Sequence, residues 1–89
     1  MEITWDENKS ASNSKKHRGI SFEEAATCLI DPMALVHEDP DAEGEQRFLL
    51  IGMSCNIRLI VVCYALPDEN TIRIISARKP TKREEASYA

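Results

Sequence analysis

Six side chains in this sequence have the chemistry that is needed to act on a phosphodiester. Cutting RNA without a metal requires that the ribose 2′-hydroxyl lose its proton, that the leaving oxygen gain one, and that cations neutralise the charge on the phosphorane. Arginine and lysine suit the last task, and histidine or tyrosine can carry protons. The candidates are Lys16, His17, Arg47, Arg78, Arg83 and Tyr88.

Each candidate also has a purely structural interpretation. Lys16 and His17 lie near the end of a predicted helix, where they can interact with its carbonyls and its dipole. Arg47 begins a predicted strand and can be an ordinary solvated residue. Tyr88 can pack its ring on a sheet and leave its hydroxyl in water. The residue types therefore define a candidate site, and the elements that carry them must decide whether they meet.

The first helix is predicted from Asp6, whose carboxylate can cap the N-terminus that follows it. On this helix Lys9, Asn13 and Lys16 fall at positions i, i+4 and i+7, so they share one face. Because that face is polar, we expect the helix to pack weakly and to be exposed or covered by a partner.

Two further helices are predicted from capping boxes, in which a hydroxyl and a glutamate three residues later each bind a free backbone N–H. Ser21 and Glu24 open a helix of about nine residues, which Asp31-Pro32 ends because proline disfavours helical geometry in the residue before it. Thr81 and Glu84 open a C-terminal helix that runs to about Tyr88. Glu84 is thereby explained as a capping residue and is not counted among the catalytic candidates.

The remaining pattern predicts a twisted antiparallel sheet of about four strands. A short strand covers Met33 to His37, and the three strands of a meander follow it at Arg47–Ser54, Arg58–Leu66 and Asn70–Arg78; Glu2–Trp5 is a further short extended segment. With two helices before the sheet and one after it, the fold class is α+β. Arg73 and Arg78 are five residues apart on one strand, so simple alternation places them on opposite faces.

Length and composition indicate a single small domain over residues 1–89. The 89 residues are 43% hydrophobic and 29% charged, which is ordinary for a globular protein. The longest apolar run, Leu59 to Leu66, is far shorter than the roughly 20 residues that cross a bilayer, and the N-terminal residues do not form a secretory signal. We therefore expect a cytoplasmic protein without a membrane segment.

No sequence motif predicts a metal or a cofactor. The three cysteines, Cys28, Cys55 and Cys63, include no C-x-x-C pair, and no Cys/His spacing matches a zinc site. We interpret them as reduced and mostly buried. A Gly-rich phosphate loop and an H-E-x-x-H helix are also missing from the sequence.

The charge is distributed unevenly. Although the net charge is −4, the seven basic residues from Arg47 onward outnumber the four acids there. Residues 21 to 46 contain eight acids and neither lysine nor arginine. This polarity is compatible with a cationic cleft on an acidic protein, and scattered solubilising charge would give the same count.

Read together, blocks of residues along nearly the whole chain resemble the BrnT family of bacterial toxins. The blocks are Trp5-Asp6-Glu7, Asn13-x-x-Lys16-His17, Ile20-Ser21-Phe22-Glu23-Glu24-Ala25, Asp31-Pro32, Gly44-Glu45-x-Arg47, Ile51-Gly52-x-Ser54, Arg58-Leu59-Ile60-Val61-Val62, Ile72-Arg73-Ile74-Ile75-Ser76-Ala77-Arg78, and Arg83-Glu84 with Tyr88. The chain departs from the family pattern at Arg18, where glycine usually follows the Lys-His pair directly, and at Pro80, where a small residue is usual.

The resemblance implies a RelE/ParE-like fold and a metal-independent endoribonuclease that inhibits translation. It also implies a BrnA-like antitoxin with a ribbon-helix-helix DNA-binding domain, a hetero-oligomer with that antitoxin, and DNA contact only through it. On this interpretation RNA is the substrate, and the six candidates line the RNA site, with Arg73 near either face. The alternative is a non-catalytic binding module that acts as co-repressor with the same kind of partner. That alternative predicts basic residues that are dispersed or fully used in salt bridges to the partner.

Overall fold

Five strands and three helices make up the fold in the computed structural model, which describes residues 1–42 and 44–88. In chain order they are β1 (Glu2–Thr4), α1 (Glu7–Lys16), α2 (Phe22–Cys28), β2 (Leu35–Glu38), β3 (Arg47–Met53), β4 (Leu59–Asp68), β5 (Thr71–Arg78) and α3 (Lys82–Ser87). The predicted α+β class and the three helices are confirmed. No helix in this part of the chain is long and apolar enough to span a membrane.

The sheet has the strand order β1-β5-β4-β3-β2. Strands β2 to β5 form the antiparallel arrangement that the turn signals predict. The first strand joins the same sheet, where it pairs in parallel with residues 71 to 73 of β5. The sheet is therefore mixed and has five strands, with β1 and β2 at its two edges.

The hydrophobic core lies between α2 and one face of the sheet. Phe22, Ala25 and Cys28 of α2 pack with residues of the three central strands: Leu50, Ile60, Val62, Ile74 and Ala77. Gly52 permits the close approach of α2, since a Cβ at this position would lie 3.0 Å from the carbonyl oxygen of Cys28. Burial raises the pKa of the Cys28 thiol to about 12, so this cysteine is an inert part of the core.

A β-bulge in β5 overturns the prediction that Arg73 and Arg78 face opposite ways. Arg73 pairs with Ala65 and Arg78 pairs with Val61, so six residues of β5 oppose five of β4. The extra residue is Ile75, because its neighbours pair with Tyr64 and Cys63. Residues four apart on β4 share a face, so the bulge brings both arginines to the same side of the sheet.

The polar face of α1 packs tightly, contrary to the prediction. Asn13 is buried, and its side-chain amide donates to the carbonyl of Ala77 at 2.8 Å while its oxygen accepts from the Ala77 N–H at 3.2 Å. Ser10, also buried, accepts from the N–H of Phe22. Because β1 stops at residue 73 of β5, Asn13 satisfies backbone groups that the edge would otherwise leave unpaired.

One of the two predicted capping boxes forms only in part. Ser21 accepts from the N–H of Glu24, but the Glu24 carboxylate turns away and binds Arg58 and Ser54 instead. Helix α2 then ends after seven residues rather than about nine. At the start of α3 both halves of the box are present, as predicted, with Thr81 and Glu84 exchanging hydrogen bonds.

Candidate functional site

Three arginines project from β3 and β5 on the side of the sheet opposite the hydrophobic core. Arg47 and Arg73 both pair with Ala65 of the intervening strand, so they lie in one row across the sheet. Arg78 lies further along β5, opposite Val61. We call this surface the arginine face; it also carries Cys63 and Ser76, which pair with each other between the arginines.

Two of these arginines are held by carboxylates. The Arg78 guanidinium donates to both oxygens of Glu84, at 2.7 and 3.0 Å, and Arg73 forms a salt bridge with Glu45. The bidentate bond to Arg78 is the main reason why the pKa of Glu84 falls to about 2. In each case a carboxylate occupies the fork that can also receive two oxygens of a phosphate.

Arg47 differs from the other two. It forms no salt bridge with any described residue, and its Nε is buried without a hydrogen-bond partner in the same part of the chain. A buried polar group without a partner costs free energy, so such an atom often marks a place where a ligand completes the structure. Arg47 therefore has an unused donor on a surface that already gathers positive charge.

The pKa of Cys63 is affected by charges on and around the arginine face. Burial and the negative charge of Asp39 raise the pKa of its thiol, while the positive charge of Arg47, a hydrogen bond with Ser76 and the positive charge of Arg78 act in the opposite direction. Both arginines are thus close enough to act on one buried group. Since burial dominates, the thiol stays protonated and is not a nucleophile at neutral pH.

Lys16 and His17 lie at the edge of β5 beside the arginine face. Lys16 is the last residue of α1, and His17 caps the helix by donating its backbone N–H to the carbonyl of Asn13 at 2.9 Å. Both line a cavity of about 250 Å³ that also reaches Ser76. Two candidates predicted from sequence therefore approach the arginine face through Ser76.

Arg83 and Tyr88 are placed differently. Arg83 is exposed on α3, one residue before the Glu84 that binds Arg78. The Tyr88 hydroxyl donates to Asp31 Oδ2 at 2.5 Å, which raises the pKa of Tyr88 and is the largest of the effects that lower the pKa of Asp31. Arg83 is therefore close to the arginine face only along the chain, with no contact to it among the described residues, and Tyr88 is bound to the loop that follows α2.

A second basic cavity, of about 370 Å³, lies where β3 and β4 meet and was missed by sequence reasoning. Arg18, Arg58 and Lys79 line it, together with Ile57 and other apolar residues. Arg58 is already engaged by Glu24, and Arg18 has a φ of 53°, in the left-handed region that favours glycine. The departure at Arg18 from the usual glycine was the one signal of this cavity in the sequence.

Comparisons with known proteins agree with this architecture. A family model described as the ribonuclease toxin BrnT of type II toxin-antitoxin systems matches residues 5–84. The crystal structure of the Brucella abortus ribonuclease toxin BrnT superposes with a TM-score of 0.69 and 26% sequence identity, and the match covers 92% of this chain and 99% of that one. None of the curated protein sequences that were compared matches this chain.

Proposed function

Because the chain belongs to the BrnT family, the ribonuclease toxins of type II toxin-antitoxin systems, we propose that its arginine face binds RNA and cleaves it. The observation that carries the proposal is the convergence of Arg47, Arg73 and Arg78 on one surface, with Arg47 Nε unpaired among the described residues. The co-repressor alternative predicts basic residues that are dispersed or fully used in salt bridges to the partner. The gathering of the three arginines speaks against dispersal and supports the nuclease, whereas salt bridges to a partner are tested by the experiment below.

Arg47 and Arg78 would hold the scissile phosphate. Arg78 exchanges the carboxylate of Glu84 for phosphate oxygens, a substitution that keeps the same two-pronged geometry. Arg47 adds the Nε donor, which has no partner among the described residues. Both cations then stand where negative charge grows during the reaction, which is where fixed charges lower the barrier most.

Attack by the ribose 2′-oxygen forms a new bond to phosphorus and breaks the bond to the 5′-oxygen of the next nucleotide. The products are a 2′,3′-cyclic phosphate and a 5′-hydroxyl. His17 is the group that we assign to proton transfer, and Lys16 adds positive charge beside it, since both line the cavity that reaches Ser76. Arg73 and Arg83 would bind neighbouring phosphates, and Tyr88 would contribute only after leaving Asp31.

Arg47, Arg73 and Arg78 share one surface, so we assign charge neutralisation to these arginines and propose that the cleavage is independent of a metal. Inhibition of translation in the cytoplasm would follow from the loss of intact RNA.

The antitoxin partner that the family implies would be a BrnA-like protein with a ribbon-helix-helix domain. In that complex the partner would contact DNA, and this chain would bind the partner as part of a hetero-oligomer. The acidic net charge of −4 supports a chain that reaches DNA through its partner rather than directly.

Growth of a bacterial host after induction of this gene alone tests the proposed function. We expect arrest with cut RNA for the wild-type chain, and normal growth for Arg78→Ala at the same expression level, because the substitution removes a phosphate-binding group. Total RNA is examined for cleavage in both cultures. Normal growth with intact RNA, despite folded wild-type protein, would refute the nuclease and favour the co-repressor.

A further inference from the structure

The free edge of β2 exposes an unusual amount of apolar surface. Leu35 and Val36 on this strand are 41% and 49% exposed, and Ile30 and Met33 just before it are 80% and 63% exposed. Only two other large hydrophobic residues in the described part of the chain are exposed, and they lie elsewhere in the sequence, at positions 1 and 57. Edge strands are normally protected by charge, by proline or by a covering element, because an unpaired apolar edge recruits another strand.

The backbone of β2 also has unused hydrogen-bonding groups. Asp39 donates its N–H to the carbonyl of Arg47, and the register then assigns Leu35 and His37 to the bonded positions facing β3. The N–H and C=O groups of Val36 and Glu38 therefore point outward, away from the sheet. Of these four groups, the Glu38 carbonyl lies 3.2 Å from His37 Nδ1, and the other three are open to an added strand. At the opposite side of the sheet, by contrast, Asn13 already satisfies the edge of β5.

Charge determines what kind of chain can pair here. The segment from residue 21 to 46 contains eight acids and neither lysine nor arginine. A second copy pairing through β2 would place two such segments side by side, and like charges across a strand pair are unfavourable. A strand that carries lysine or arginine would instead be attracted to the acidic loop that follows β2.

We propose that the antitoxin binds by adding a strand to the free edge of β2. The added segment is extended, carries apolar side chains that cover Leu35 and Val36, and carries lysine or arginine next to the acidic loop that follows β2. Main-chain hydrogen bonds to Val36 and Glu38 give the affinity, as in other cases of strand addition. The proposal rests on the antitoxin partner of the proposed function and does not depend on RNA cleavage.

An antitoxin bound at the edge of β2 would be well placed to neutralise the toxin by covering the arginine face. Leu35 and His37 pair with Ile51 and Leu49 of β3. Positions 47, 49 and 51 of β3 lie on one face of the sheet, so Leu35 and His37 lie on the same face as Arg47. A strand added beside β2 thus extends the sheet that bears the arginine face. The rest of the antitoxin can then cover that face and exclude RNA without entering the hydrophobic core.

Val36→Pro tests the outward hydrogen bond directly. Proline is tolerated on edge strands where its missing N–H faces solvent, so the bonds from β2 to β3 remain. We expect affinity for the purified product of the adjacent antitoxin gene to fall about tenfold or more, because a carbonyl of the added strand loses its donor. Val36→Thr keeps the N–H and the branched shape and serves as the matched control, with a smaller loss.

Hydrogen exchange gives a second measurement that needs no variant. The amides of Val36 and Glu38 should exchange fast in the free protein and become protected in the complex. Unchanged affinity of a folded Val36→Pro, or unprotected amides in the complex, would overturn strand addition while leaving RNA cleavage untouched. If the wild-type chain does not bind the adjacent gene product at all, the partner assignment fails, and strand addition fails with it.

Discussion

Replacing Arg47 with alanine should lower the rate of RNA cleavage about 10²- to 10³-fold, the usual cost of removing one donor aimed at transition-state charge. The same substitution should leave the free energy of unfolding unchanged or slightly higher. The reason is that Arg47 Nε is buried without a partner among the described residues, so its removal breaks no hydrogen bond there. Cleavage of a labelled RNA and a thermal melt of the same preparation measure the two effects.

Lys15→Ala is the matched control for this prediction. It also removes one positive charge, from an exposed position on α1 that lines neither of the two basic cavities. Its cleavage rate should stay within about threefold of the wild type, since an exposed charge that lines neither cavity is largely screened by salt, even though Lys15 precedes Lys16 in the chain. Equal losses for Lys15→Ala and Arg47→Ala would show that only net charge matters and would remove Arg47 from the site.

The largest effect on stability is expected at Glu24. This residue is 6% exposed. Its carboxylate accepts from Arg58 at 2.7 and 2.5 Å and from Ser54 at 2.7 Å, and these bonds join α2 to the turn between β3 and β4. Glu24→Gln should lower the free energy of unfolding by about 2 to 3 kcal/mol. This value lies between those for exposed and for fully buried ion pairs, because Arg58 is partly in water. Glu23→Gln, at the neighbouring exposed position, should cost less than about 0.5 kcal/mol.

The lowered pKa of Glu24 predicts how the free energy of unfolding depends on pH. The hydrogen bonds from Arg58 lower the pKa of Glu24 from 4.5 to about 2, so the unfolded chain binds more protons than the folded one between these values. Glu24 therefore stabilises the fold fully above pH 4.5, and this contribution is lost as pH falls toward 2. Urea unfolding at pH 7 and pH 3 should show a smaller difference between Glu24→Gln and the wild type at pH 3. A constant difference would contradict the lowered pKa.

Local signals in the sequence were enough for the elements and the fold class. The N-cap residues Asp6, Ser21 and Thr81 each accept from backbone N–H groups of the helix that follows, as predicted. Such hydrogen bonds span two or three residues, so the sequence contains all the information that they need. The turns of the meander are equally local, and β3, β4 and β5 begin within one residue of the predicted starts.

The predictions were wrong where a side chain binds a residue that is distant in the sequence instead of a neighbour on its own helix. Glu24 was expected to complete a capping box, but Arg58, which is 34 residues away, takes its carboxylate. Asn13 was expected on a weakly packed face, and it binds the backbone of Ala77, 64 residues away. Neither partner can be identified from helical spacing, because spacing describes one element at a time.

The bulge at Ile75 mattered most for the candidate site. Strict alternation separated Arg73 from Arg78, whereas the one-residue shift places both with Arg47 on a single face. A bulge depends on how two strands pair with each other, and the run of apolar residues around Ile75 contains no local signal for it. Arg47 and Arg78 were therefore singled out from the sequence as candidates, whereas the surface that they share with Arg73 was not predicted.

The most direct test of RNA cleavage at this surface is to incubate the purified chain with a labelled RNA in the presence of EDTA. The account predicts that the RNA is cut to products with a 2′,3′-cyclic phosphate and a 5′-hydroxyl, and that the same strand made with 2′-deoxyribose stays intact. Cleavage that stops when EDTA is added, or that proceeds on the deoxyribose strand, would contradict attack by the 2′-hydroxyl on a phosphate held by arginines.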